Sequence, residues 1–451
     1  MSKDIKIKKG LDINLVGAAE PTTSKAVLSN VYAINLDDFH GITPRMLLKA
    51  GGEIKTGEAL FYNKNNENMR FVSPVSGELV EIERGARRRI LRLKILADKE
   101  QEAIANAILD VEKASPEEIK AYLLKTGCWP FIIQRPYSVV ADPDVNPKAI
   151  FVSGYATAPL AAAPDYVLQG KEKELQAALS ALAKLVPNKK VHVSVGKSSD
   201  SPLSGCSDIE VHRVSGPHPS GLVGTQINKI DPINKGETVW TVSPQDLVII
   251  GEMLLTGKFN PQRTVALVGS SVKKPQYYTT KIGAEISTFL YASGARDERF
   301  RVINGDVLTG RKSRQDGHLG YYNNTVTCIP EGDDYEFFGW NKPVFNKISA
   351  TRALTFSWLQ PNKKYDLDTN TNGEHRAFVV TGMYEKVFPM DIYPLQLLKA
   401  CMVRDIDEME QLGLYEVAPE DFSLTEFICV SKQPHQQIIR EGLDLLQKEI
   451  G

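Results

Sequence analysis

Cysteine is sparse in this chain and never arranged as a motif. Its 451 residues hold five (Cys128, Cys206, Cys328, Cys401 and Cys429), widely scattered and without a CxxC pair. That spacing is what a zinc ribbon or a cysteine-ligated iron–sulfur cluster needs, so neither is signalled. Separated thiols in odd number read as reduced cysteine. Long apolar runs are missing as well. No stretch approaches the ~20 apolar residues that cross a bilayer, and the best run, 149–168, is broken by Pro159, Pro164 and Asp165. The basic start, MSKDIKIKKGLDINLVG, lacks the apolar core of a signal peptide. A soluble chain is expected, with any membrane association made through a partner. An excess of either charge is absent too: the net charge is −1. Nothing therefore pulls the whole chain toward nucleic acid or acidic lipid. Finally, no G-x-G-x-x-G follows any expected strand. The Gly196-Lys197-Ser198 run has Val191 where a phosphate loop needs its first glycine, so a nucleotide site is poorly supported.

What is present is ordinary globular composition, 42% hydrophobic and 24% charged, in a chain long enough for three or four domains. Residues 1–102 alternate apolar and polar around glycine turns, in GGEIKTGEALF (Gly51–Phe61) and FVSPVSGELVEIERG (Phe71–Gly85), which predicts strands. The two runs look like the half-motifs of a biotinyl/lipoyl-type barrel, with Lys64 at the hairpin tip. Lys64 lacks the neighbours of a modified lysine, so the barrel is expected to be scaffold. In RGARRRILRLK the spacing places Arg88, Ile90, Arg92 and Lys94 on one side of a strand, with Arg89, Leu91, Leu93 and Ile95 opposite. A solvated charged face is expected there. Nucleic acid is disfavoured because no aromatics interleave with the charges.

From 103 to 258 the pattern becomes α/β. Helices are predicted over Gln101–Glu112, Pro116–Leu124 (with Ser115 as N-cap) and Lys171–Leu185. Strands are predicted over Ala149–Tyr155, Lys190–Gly196 and Glu210–Gly216, and a Rossmann-like sheet is their natural assembly. Residues 259–335 turn β-rich again, with Val265–Val272, Lys281–Leu290, Arg301–Gly310 and Asn323–Pro330 giving strands and one helix, as in a β-grasp unit. Residues 336–451 are irregular and then helical, over Asp391–Leu412 (Gly413 at the C-cap) and Ser431–Ile450. The fold class is α+β, multidomain.

The densest cluster of special residues is Val214–Asn234, VSGPHPSGLVGTQINKIDPIN. Its glycines and prolines restrict or free the backbone at short intervals, which implies a shaped loop around His218. His212 and His218, with His192 on a neighbouring strand, make a weak metal set for want of a patterned carboxylate, and no metal is expected. Cys206 is a nucleophile only if a histidine lowers its pKa. The stretch WPFIIQRPYS (Trp129–Ser138) has two readings. Phe131, Tyr137 and Arg135 can stack on a flat ring and donate to its carbonyl oxygens, or they are packed, with Arg135 paired to a carboxylate.

The order of these runs resembles the A-subunit family of the bacterial sodium-translocating NADH:quinone reductases. It is carried by GGEIKTGEALF, SPVSGELVEIERGARR, WPFIIQRPYS, SGPHPSGLVGT, GEMLLTGKFN with VALVGSSVKKP, NGDVLTG, EFFGW and YPLQLLKA. The resemblance implies a biotinyl-like barrel, a Rossmann-like domain, a β-grasp (SLBB-type) domain and a helical C-terminal region. It implies a peripheral subunit on the cytoplasmic face of the inner membrane. Such a subunit docks on the membrane-embedded B-subunit and other members of a complex that oxidises NADH, reduces quinone and exports sodium. Flavins and the iron–sulfur cluster belong to other subunits, so this chain is expected to carry no redox cofactor and to be inactive alone with NADH. Quinone is the expected ligand, at Phe131, Arg135, Tyr137, His212 and His218. The alternatives are a purely structural assembly subunit and a stand-alone nucleotide-dependent enzyme. The run after Cys429 departs from many family members, which have proline where Val430 stands.

Overall fold

The apolar runs in the middle of the chain become the buried strands of one seven-stranded sheet. The computed structural model describes residues 2–26, 28–294, 299–333, 336–337, 339, 345, 347–351, 358–360 and 362–450. The sheet order is Asp4–Lys6, Glu210–Ser215, Val191–Gly196, Ala149–Gly154, Val239–Thr241, Ile133–Arg135 and Val139–Val140. The first five strands run parallel, and the last two join antiparallel. Every residue of Val191–Gly196 is buried, as expected for a parallel strand covered on both faces. Chain order runs outward from Ala149–Gly154 on one side and resumes at Val239–Thr241 on the other. The gap between these two strands is the switch point at which doubly wound sheets bind ligands.

Ser115 caps the helix Pro116–Lys125: its side chain accepts from the Glu118 amide while Glu118 accepts from the Ser115 amide, a capping box with proline at the first helical position. Ser115→Ala is expected to lower stability by about 1 kcal/mol, read as a shift of the urea midpoint.

The predicted helix Gln101–Glu112 is not formed. That segment is extended, because its backbone bonds are taken elsewhere: the Ile104 amide donates to the Thr56 carbonyl at 3.0 Å and Asn106 to Gly257 at 2.8 Å. Tertiary pairing has overridden helical propensity. The segment straps the barrel to the α/β domain.

The barrel consists of two small sheets. One orders Val31–Asn35, Ile90–Ala97, Gly77–Arg84 and Gly52–Ile54; the other Pro44–Met46, Ala59–Asn63 and Asn66–Val72. Phe61 stacks on Phe71 at 4.4 Å in its core, and Lys64 stands in the turn at the hairpin tip. A register shift between Glu83 and Arg84 turns Ile90 inward with Leu93 and Ile95, so the expected alternation fails at that residue. The basic side chains pair locally, Arg92 with Asn35 and Lys94 with Glu81.

The first 25 residues do not stay with the barrel. Asp4–Lys6 edges the seven-stranded sheet, and Glu20–Lys25 edges a six-stranded one beside Gln276–Lys281. That second sheet continues through Gln262–Val268, Thr325–Pro330, Phe300–Asn304 and Arg311–Ser313. Of the run Lys281–Leu290 only Lys281 is strand; the helix spans Ser287–Ser293.

The C-terminal region has its own core, around Phe388, Leu397, Leu398, Phe422 and Leu443. The single helix expected over Asp391–Leu412 is two, Pro394–Val403 and Ile406–Gln411. Arg404 takes a left-handed backbone at φ 61°, and Asp405 caps the second helix. Gly413 lies one residue past the C-cap Leu412, and the last helix starts at His435. In the EFFGW run, Phe338 and Trp340 lie outside the described residues, as do 334 and 335 at the expected domain boundary. Among the described residues no helix is long and apolar enough to cross a membrane.

Candidate functional site

Arg135 ends the strand Ile133–Arg135 and is 1% exposed. Its Nη1 donates to Asp421 at 2.8 Å and its Nη2 to Glu420 at 2.6 Å. The guanidinium thus reaches out of the α/β domain into the turn Pro419–Phe422 of the C-terminal region. The Asp421 carboxylate also takes the Ala418 amide at 2.9 Å. Burial pushes the Asp421 carboxyl up, and Arg135 pulls the other way. Gly224 closes the junction. A Cβ there would lie 2.3 Å from the Asp421 carboxylate and 2.5 Å from Arg135 Nη1, so a side chain at 224 would have to displace the ion pair.

Beyond Arg135 the backbone turns through Tyr137 and Ser138, at φ 78° and 51°, a region L-residues seldom occupy. Two contacts hold this turn. The Tyr137 carbonyl accepts from Arg440 Nη1 at 2.7 Å, and the half-buried Tyr137 side chain packs on the C-terminal core. Phe131 sits deeper, 1% exposed, stacked on Tyr321 at 5.1 Å and Phe259 at 6.4 Å. The Arg263 guanidinium lies 6.0 Å from the same ring. Phe131 and Arg135 are therefore committed to packing and pairing, the second of the two readings of this stretch.

The loop around His218 shows what its shape serves. His218 is 1% exposed; its amide donates to Asp12 at 2.9 Å and its Nδ1 meets Thr157 Oγ1 at 3.1 Å. Burial holds its ring below the ordinary histidine pKa. Ser153 Oγ, at the end of the switch-point strand, donates to the Gly221 carbonyl at 2.9 Å and receives Gln226 Nε2 at 2.9 Å. Gly216, at φ 134°, would put a Cβ 2.3 Å from the Ile7 carbonyl. The loop thus packs on the end of one switch-point strand and on the N-terminal segment. The close approaches serve the chain's own segments.

His212 stands apart from this junction. It is a strand residue, fully buried, and its Nε2 meets His192 Nδ1 at 3.1 Å. Its strand lies four places from that of Arg135 in the sheet, roughly 19 Å at about 4.8 Å per strand. One small ligand cannot touch both. Cys206 is no activated nucleophile: its thiol bonds the Pro202 carbonyl at 3.7 Å, and burial raises its pKa. A cavity of about 300 Å³ lies between barrel and α/β domain, lined by Leu47, Leu48, Ile54, Arg70, Ile104 and Lys125 among others. None of the five expected ligand residues reaches it.

Sequence reasoning missed Glu420, Asp421 and Arg440. The acidic pair in Ala418-Pro-Glu-Asp-Phe422 was the available signal, and nothing local ties it to an arginine 285 residues away.

Barrel, doubly wound sheet, a second mixed sheet and a helical region joined to them at Arg135 define a multidomain α+β protein. The family model described as the NqrA N-terminal barrel-sandwich hybrid domain matches residues 5–98, the NqrA second alpha/beta domain 114–259, and the NQRA C-terminal (SLBB) domain 264–315. The chain is 36% identical over 454 residues to the A-subunit of the Na(+)-translocating NADH-quinone reductase of Neisseria meningitidis serogroup A, covering 99% of this chain and all of the relative. The A-subunits of the same reductase in Rhodopirellula baltica and Haemophilus influenzae are each 35% identical. They cover 98% and 99% of this chain, and 98% and 100% of their own lengths. The chain belongs to the A-subunit family of the Na(+)-translocating NADH-quinone reductases.

Proposed function

We propose that this chain is a peripheral subunit of a sodium-exporting NADH:quinone reductase and presents the Trp129–Ser138 stretch to quinone, with Tyr137 as the contacting side chain. The observation that carries this is the left-handed turn at Tyr137 and Ser138, clamped by Arg440 on one side and anchored by the Arg135 ion pairs on the other. Strained backbone held by its surroundings is a mark of functional positions. Phe131 and Arg135 act as supports of that turn, and His218 shapes the neighbouring loop. His212 is too far along the sheet to join them. Quinone reduction draws its electrons from flavins and an iron–sulfur cluster in other subunits. The chain docks on the cytoplasmic face, against the membrane-embedded B-subunit. Purified alone, it is expected to be colourless and inactive with NADH.

The test is a titration of the full chain with a soluble short-chain quinone, followed by intrinsic fluorescence. Saturable binding that weakens about tenfold or more on Tyr137→Ala supports the reading, since one lost aromatic contact is worth about 1.4 kcal/mol or more. Absence of saturable binding favours the structural-subunit reading, for which the burial of Phe131 and Arg135 speaks.

A further inference from the structure

The strands Val191–Gly196 and Glu210–Ser215 run parallel, with His192 opposite Glu210 and Ser194 opposite His212. Residues two apart on a strand share a face, so His192, Glu210 and His212 stand together on one side of the sheet. His192 Nδ1 lies 3.1 Å from His212 Nε2 and 3.6 Å from the Glu210 carboxylate. One ligand atom from each residue falls within 4.8 Å of the other two. We propose that these three side chains bind a divalent transition-metal ion of the zinc type.

The spacing is the first reason. A tetrahedral ion with bonds of about 2.0–2.1 Å sets its ligand atoms about 3.3 Å apart, and the two measured separations fall on either side of that. The donor set is the second. Two imidazoles and one carboxylate suit zinc and its neighbours, whereas calcium and magnesium take oxygen ligands. Rigidity is the third: both rings are buried on central strands, and His192 packs 4.9 Å from the Phe151 ring. The Glu210 side chain, 41% exposed, leaves a route from solvent.

Proton placement fits at His192 and has to change at His212. The Lys3 amide donates to His212 Nδ1 at 3.2 Å, so the ring proton of His212 sits on Nε2 and is shared with His192 Nδ1. The His192 proton is then on Nε2, which is buried without a partner. An ion between the rings replaces the shared hydrogen. It binds His192 Nδ1 in the tautomer already present. On His212 it moves the ring proton from Nε2 to Nδ1 and displaces the Lys3 amide; neither ring loses a proton overall. The cationic end of Lys3 is directed elsewhere, to the Ile230 carbonyl at 2.7 Å. A fourth position remains for water.

The full chain, stripped with chelator, is titrated with zinc chloride against a chromophoric indicator, and with cobalt(II) chloride by visible absorption. One equivalent bound, with the intense bands of tetrahedral cobalt, is expected. His192→Ala should abolish it and Glu210→Gln weaken it about tenfold or more, since even outer-shell losses cost that much. His375→Ala, at an exposed histidine, should leave it unchanged. Glu210 is at the surface, so its variant tests the site even if His192→Ala does not fold. No bound equivalent, pale octahedral cobalt, or binding that survives Glu210→Gln undiminished would overturn the site.

Discussion

Arg135→Ala is expected to destabilise the protein by about 3–5 kcal/mol, the usual cost of removing one partner from a buried ion pair. The guanidinium and the Asp421 carboxylate are each 1% exposed. Without the arginine, the buried Asp421 carboxylate keeps only the Ala418 amide. Glu420 suffers less, because it is 34% exposed and can turn outward. The loss should therefore follow Asp421. Arg135→Met combined with Asp421→Asn leaves no buried charge and should recover more than half of the deficit, in line with the near-neutral replacement of whole buried pairs. Urea unfolding of the single and double variants measures both numbers. Limited proteolysis reads the same event locally, since the Pro419–Phe422 turn loses its anchor. A single-variant loss below about 1 kcal/mol would mean the junction is held by packing alone.

Acidification is expected to act next most strongly. His318 and His435 are both buried, and burial holds each ring at a pKa of about 4, against about 6.5 in an unfolded chain. Their folded values are depressed, so the unfolded chain binds more protons throughout the interval between them. Stability conferred by the neutral rings is complete above pH 6.5 and falls as pH drops toward 4. Between pH 7 and 5.5 each ring contributes a loss of roughly 1 kcal/mol, about 2–3 kcal/mol together. The charges around His318 are Arg92, Lys94, Glu285 and Asp316; His435 bonds Thr425 at 2.9 Å. Asp246 and Asp421, whose carboxyls burial raises, act in the opposite sense. Variants separate the two: His435→Gln should flatten the pH dependence of the denaturation midpoint, and an unchanged slope would refute the assignment.

Much of the architecture was legible because it rests on local pattern. The capping box at Ser115 and Glu118, the apolar run Val191–Gly196 and the glycine turns of the barrel each carry their own signal within a few residues. The misreadings have two causes, pairing between distant segments and local backbone breaks such as the left-handed Arg404. Residues 101–112 have helical composition, yet Thr56 and Gly257 claim their amides. Ile90 faces inward because of a register shift that its own strand does not announce. The junction was legible in half. Trp129–Ser138 and the glycine loop stood out, but the acids that fix Arg135 lie at the other end of the chain. Periodicity cannot report a contact of that separation.

The placement of the first 25 residues bears on how the chain comes into being. Lys3 must meet His212, 209 positions later, and Thr23 must meet Tyr277. At synthesis rates of about 5–20 residues per second, the N-terminal strand waits roughly 10–40 s for its partner to be made. The barrel can close behind the ribosome while the segment before it hangs unpaired. The segment ahead of the barrel is thus made well before its partner strands and is among the last parts of the chain to find its place.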